Sequence, residues 1–231
     1  CASTLITGLK RDIALLKRVE ASAGDQVTVL DLSLDKNLDA LETLLAQGVH
    51  VLYVDHHMAS QIPDHPGLEA VIDTASDTCT SLLVDARLNG AHRAWAVVAA
   101  FGDNFHASAR RAAAPLGLEE AQLEALCQLG ICLNYNGYGV ELSDLLFHPA
   151  DLYRAMQPYR DPLAFIAEAP AYQRLLTGYR EDMASAAALT PELAEASIAL
   201  YMLDDQPWTR RVSGVFGNQL ARDYPQRAHA I

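Results

Sequence analysis

The chain has 231 residues, 51% of them hydrophobic and 20% charged, a composition that excludes a disordered tail and describes a globular protein with a sizeable core. Its formal net charge of −12 argues against an extended duplex-DNA surface, because long nucleic acids are gripped by clustered Lys and Arg. It leaves a short anionic ligand open, since a bound divalent ion reverses the local sign.

The first hundred residues alternate in type. "TLIT" (4–7) reads as a strand and "KRDIALLKRVEAS" (10–22) as a helix. "QVTVLDLS" (26–33) is a β-branched run, and "NLDALETLLAQG" (37–48) is a helix closed by Gly48, with Asp35 placed as its N-cap. "VHVLYVD" (49–55) and "EAVID" (69–73) supply two further strands. Strands separated by single helices predict an α/β fold with a parallel, doubly wound sheet, in which ligands sit beyond the carboxyl ends of the strands. From about 80 to 189 the pattern is helical, with "AWAVVAAFG" (94–102), "LEEAQLEALCQLGICLNY" (118–135) and "PAYQRLLTGYREDMASAAAL" (170–189) as its main segments. "ASIALYMLDD" (196–205) returns to strand character, and "SGVFGNQLARDYP" (213–225) reads as a Gly-led turn into a helix, the start of a second, smaller α/β unit.

The longest apolar run, 94–102, is too short to cross a bilayer and is followed by Asp103 and His106. With no recognisable signal peptide, the expected location is the cytoplasm. Cys1, Cys79, Cys127 and Cys132 have neither zinc-ligand spacing nor a disulfide pattern and read as buried thiols.

The chemistry concentrates in "VLYVDHHMAS" (51–60), where a buried strand runs into Asp55, His56 and His57. Imidazole and carboxylate ligands together suit Mn²⁺, Zn²⁺ or Fe²⁺ better than Mg²⁺ or Ca²⁺. Strand alternation predicts that the two histidines point apart, one toward a metal and one toward a substrate. Asp31 ends the neighbouring strand, and Asp103 stands at a helix C-terminus, where an acid is disfavoured by the dipole unless a cation faces it. Thr78, Thr80 and Ser81 stand where a helix begins, as phosphate donors or N-caps. His65 and His106 read as exposed loop histidines, and Asn134, Tyr135 and Asn136 as a helix exit.

"VDHH" after a strand, a strand-terminal Asp one βα unit earlier and a downstream "GD" helix end together resemble the DHH phosphoesterase superfamily, over about residues 5–135. The resemblance implies a DHH-type catalytic domain over 1–148, a helical linker over 149–190 and the opening of a DHHA1-like substrate domain over 191–231. It implies that Asp31, His56 and Asp103 are metal ligands, that His57 meets the phosphate, and that Asp55 acts as ligand or as acceptor for an imidazole N–H. Arg210 and Arg211, with Ser213 and Asn218, are the candidates for substrate contact. The implied cofactor is a pair of Mn²⁺ ions, with Mg²⁺, Zn²⁺ or Fe²⁺ as alternatives. The implied activity is hydrolysis of a small phosphorylated substrate or short single-stranded nucleic acid, with no membrane partner. Inorganic pyrophosphate or polyphosphate hydrolysis is the alternative within enzymes, and a non-catalytic binding module with a degenerate site is the alternative outside them. The family's first motif, Asp-x-Asp, and its Gly-Gly-His-like loop are not in this sequence. The expectation is therefore a fragment, lacking one segment before "TLIT" and another after Ile231, that binds metal weakly or partially. Its open sheet edge makes a homodimer a further expectation.

Overall fold

The β-branched runs that follow Asp25 and Gly48 pair side by side. In the computed structural model, which describes residues 3–231, β1 (Gln26–Leu30), β2 (His50–Asp55) and β3 (Leu68–Ile72) form a parallel sheet in the order β1-β2-β3. The register sets Leu30 opposite Val54 and Asp55 opposite Ile72. Because all three strands run the same way, their carboxyl ends share one edge, and the acids that close them gather there.

The helix α1 (Leu34–Ala46) joins β1 to β2. Its Leu34, Leu41, Leu44 and Leu45 recur at helical spacing and are buried with Val29, Val51 and Tyr53. Each such leucine contributes roughly 1.5–3 kcal/mol by leaving water, more than any intrinsic helix propensity. Asp35 is not the N-cap expected of it. The helix begins one residue earlier, and the Asp35 carboxylate accepts from the Ser60 N–H and hydroxyl, each at 2.8 Å. It thereby ties the loop after β2 to the first turn of α1.

The segment before β1 departs most from its sequence pattern. Thr4–Thr7 forms no strand, and the expected helix over 10–22 is reduced to one 3-10 turn, Leu15–Arg18. The cause is Asn37, buried on α1. Its amide donates to the Ile13 carbonyl at 2.7 Å and accepts from the Leu16 N–H at 3.2 Å. Backbone groups that a helix would use are thus satisfied by a side chain.

A helical layer follows: α2 (Thr80–Arg87), α3 (Arg93–Gly102), α4 (His106–Ala113), α5 (Glu120–Tyr135), α6 (Pro149–Met156), α7 (Pro162–Glu168) and α8 (Pro170–Ala187). Val97, Val98, Phe101, Leu126, Leu129 and Phe165 make its core. Cys79 and Cys132 are buried there and Cys127 is half-buried; all three are free thiols, and burial pushes the Cys132 thiol up to about 11. Cys1 lies outside the described residues.

The last unit is a small sheet of β4 (Leu193–Ala194), β5 (Ile198–Leu200) and β6 (Ala228–Ala230), antiparallel at β4-β5 and parallel at β5-β6. It packs with α9 (Pro207–Asp223) around Ala199, Val212, Phe216 and Leu220. The strand expected over 196–205 is three residues long, and α9 starts at Pro207 rather than after a Gly-led turn. Gly214 lies inside α9, where the Tyr138 ring leaves no room for a Cβ. Among the described residues, no helix is long and apolar enough to cross a membrane.

Candidate metal centre

Asp31 leaves β1 with φ 61°, a left-handed conformation costing about 1 kcal/mol for most side chains but tolerated by Asp. Three bonds hold it there. Its N–H donates to the Val54 carbonyl at 3.1 Å, extending the ladder by one step. The buried Tyr53 hydroxyl donates to the Leu32 carbonyl at 2.9 Å, fixing the chain just beyond. The Thr80 hydroxyl, at the start of α2, donates to Asp31 Oδ1 at 2.8 Å. Thr80 is therefore a brace for Asp31 rather than an N-cap, and Ser81 instead donates to the Ala96 carbonyl.

Asp103 is delivered by the end of α3. The Phe105 N–H donates to the Ala100 carbonyl at 2.9 Å and the Asn104 N–H to the Phe101 carbonyl at 3.1 Å, with Asn104 left-handed at φ 67°. This is a Schellman ending with Asn104, not Gly102, in the left-handed position. Gly102 instead lets α3 approach α5.

His56 follows the last residue of β2 and lies between these two acids. Its Nδ1 is 3.3 Å from the Thr78 carbonyl, an acceptor, so this nitrogen carries the proton. Nε2 then faces Asp31 Oδ1 at 3.4 Å and Asp103 Oδ2 at 3.5 Å. With Nε2 unprotonated, these three acceptors face one another with no donor between them, and they repel unless a proton or a cation stands among them. Burial and then the charge of Asp31 push the Asp103 carboxyl above the usual range, with Lys10, His56 and His57 opposing more weakly. Lys10 Nζ is 4.0 Å from Asp103 Oδ1.

His57 Nδ1 lies 2.7 Å from Asp55 Oδ1, so it donates a hydrogen bond to the completely buried Asp55, while the His57 side chain is half exposed. The other Asp55 oxygen, Oδ2, is buried without a hydrogen-bond partner. The two imidazoles do not diverge as strand alternation predicts. β2 ends at Asp55, the alternation lapses, and the rings come to 4.7 Å. One ligand atom from each of Asp31, His56 and His57 lies within 4.8 Å of the others.

The donor set fits a divalent cation. Two carboxylates and two imidazoles supply mixed oxygen and nitrogen ligands, and the inner imidazole has its second nitrogen engaged by a carbonyl, as metal-bound histidines do. Asp31, His56 and His57 are the residues whose ligand atoms converge and that would hold it, with the Asp103 carboxylate beside them, 3.5 Å from His56 Nε2.

Other sequence candidates lie elsewhere. Arg210 is bonded to Asp144 through Nε at 2.9 Å and Nη2 at 2.7 Å, and also to Asp205. Arg211 bonds Asp182, the Tyr135 hydroxyl and the Asp144 carbonyl. Both guanidinium groups thus join α9 to the helical layer, and neither is brought to the Asp-His cluster. The Ser213 hydroxyl donates to the Arg210 carbonyl at 3.1 Å, and Asn218 is exposed on α9. His65 accepts from the Gly67 N–H in a local turn, and His106 lies against Phe101 and Cys127. Lys10 is the residue the pattern did not point to. It reaches the cluster because its N–H donates to the Gly137 carbonyl at 2.9 Å and its ammonium to Asn134 Oδ1 at 2.6 Å.

No family model, curated protein or solved structure matches this chain.

Proposed function

We propose that the chain is a metal-dependent phosphoesterase of the DHH type, with a doubly wound catalytic unit, hydrolysing a small or short phosphodiester of the oligonucleotide or cyclic-nucleotide class. The observation that carries this reading is His56 Nε2, set between the carboxylates of Asp31 and Asp103 while its Nδ1 is held by the Thr78 carbonyl. When bound, divalent ions such as Mn²⁺ neutralise phosphoryl oxygens and lower the pKa of water. Asp31, His56 and Asp103 hold that charge in place. His57 faces the phosphate with Nε2, and Asp55, bonded to Nδ1, fixes its tautomer and orientation. Asp31 and Asp103 come from different elements braced independently, so the site is arranged before a ligand arrives and reorganises little.

The test joins binding to turnover. Isothermal titration with Mn²⁺ and hydrolysis of bis(p-nitrophenyl) phosphate are measured for wild type, Asp31→Asn and His56→Ala. The expected result is Mn²⁺ binding and Mn²⁺-dependent turnover in wild type, both reduced at least about 10-fold in each variant. Unchanged turnover in both variants sinks the reading. Mn²⁺ binding with no turnover in wild type replaces the enzyme with a non-catalytic binding module.

A further inference from the structure

The cluster lines a cleft of about 720 Å³ that α6 also lines. Pro149, Leu152, Tyr153 and Met156 recur at helical spacing on that helix and all line the cleft. Tyr153 is 47% exposed, so part of its ring is open to a ligand in the cleft. His56, His57, Asp31 and Asp103 line the same space, and Lys10 lines it too, with its ammonium 4.0 Å from Asp103 Oδ1.

Charge narrows what fits. Lys10 is the only lysine or arginine among the described residues of this lining, and Asp12, Asp31 and Asp103 stand against it. Beyond what a metal contributes, the protein offers one cation, enough for a single phosphate and poorly suited to pyrophosphate or polyphosphate. The remainder of the wall is largely apolar. The volume lies within the range of small-molecule sites and admits a ligand of nucleotide size.

We propose that Tyr153 is a stacking platform for the nucleobase of a nucleotide whose phosphate sits at the Asp-His cluster beside Lys10. This rests on the phosphoesterase reading and adds to it a specificity-determining residue that touches the ligand away from the phosphate. Stacking on an exposed ring tolerates any base, so the platform selects for a base without selecting which one.

Isothermal titration of the 231-residue chain with Mn²⁺ present, using AMP, ribose 5-phosphate and inorganic phosphate, tests it. Wild type is expected to bind AMP about 10-fold more tightly than ribose 5-phosphate. Tyr153→Ala is expected to erase that difference while leaving ribose 5-phosphate and phosphate binding unchanged, and Tyr153→Phe to keep it. Equal binding of AMP and ribose 5-phosphate in wild type overturns the proposal. So does an AMP preference that survives Tyr153→Ala, or an equal loss of all three ligands in that variant. Hydrolysis of bis(p-nitrophenyl) phosphate, measured alongside, separates the two claims. Its absence with the AMP preference intact defeats the phosphoesterase reading and leaves the platform standing; turnover without the preference does the reverse.

Discussion

Gly102 and Gly130 meet backbone against backbone, where α3 crosses α5. A Cβ on Gly102 would stand 2.7 Å from the Gly130 carbonyl oxygen, and one on Gly130 would collide with the Val98 carbonyl. Neither contact involves a flexible side chain that could yield. The crossing therefore sets where α3 ends, and with it where Asp103 projects.

Gly130→Ala is expected to destabilise the protein by about 1–3 kcal/mol, the usual range for overpacking. It should also weaken Mn²⁺ binding, although residue 130 is not a ligand. Urea denaturation and metal titration check both effects. Unchanged stability would show that the crossing relaxes freely.

Asp31 and Asp103 repel each other through His56, so removing one charge has opposite effects with and without metal. In a chelator, Asp103→Asn is expected to raise stability slightly, because burial and the Asp31 charge disfavour the ionised carboxylate. With saturating Mn²⁺ the variant should be less stable than wild type, because ligand stabilisation follows affinity. A thermal melt in each condition reads the sign, and the same sign in both would count against a cation site here.

The Asp182 carboxylate accepts from Arg211 at 2.8 Å and from the Tyr135 hydroxyl, joining α5, α8 and α9. Asp182→Ala leaves a largely buried guanidinium without its partner, and the expected loss is about 3–5 kcal/mol. Denaturation measures it. Replacing Asp182, Arg211 and Tyr135 together by apolar residues should cost less than the single change.

Hydrogen bonds from Arg210 hold the Asp144 carboxyl well below the usual carboxylate range, with further help from the Val140 and Glu141 N–H groups. A depressed folded-state pKa means the carboxylate stabilises the fold fully above the unfolded value, near 4, and loses that contribution as pH falls toward the folded value. The stability gap between wild type and Asp144→Asn is therefore expected to be constant above about pH 5 and to shrink steadily below pH 4. Urea titrations from pH 6 to 3 check this, and a gap that widens on acidification contradicts it.

Much of the architecture was legible because its signals are local. The β-branched runs around Val29 and Val54 and the helical spacing of Leu41, Leu44 and Leu45 respond to whether a face is buried, and both elements formed, the strand stopping at Leu30 and the helix starting at Leu34 rather than 37. Residues 10–22 misled for the complementary reason. Their helical pattern is real, but Asn37, more than twenty positions away in sequence, takes the hydrogen bonds a helix there would use.

The candidate site divides the same way. From the residues alone came its members: Asp31 and Asp55 at strand ends, two adjacent histidines, and an acid at a helix terminus that the dipole disfavours. Their relation was decided only by tertiary structure. The Thr78 carbonyl chooses which nitrogen of His56 is protonated, Thr80 braces Asp31, and the Gly102–Gly130 crossing aims Asp103. Arg210 and Arg211 show the limit most plainly, since their charge is visible in sequence while the buried carboxylates that pair with it are not. Residue type sets what chemistry a side chain offers. The packing of distant segments sets what that side chain faces.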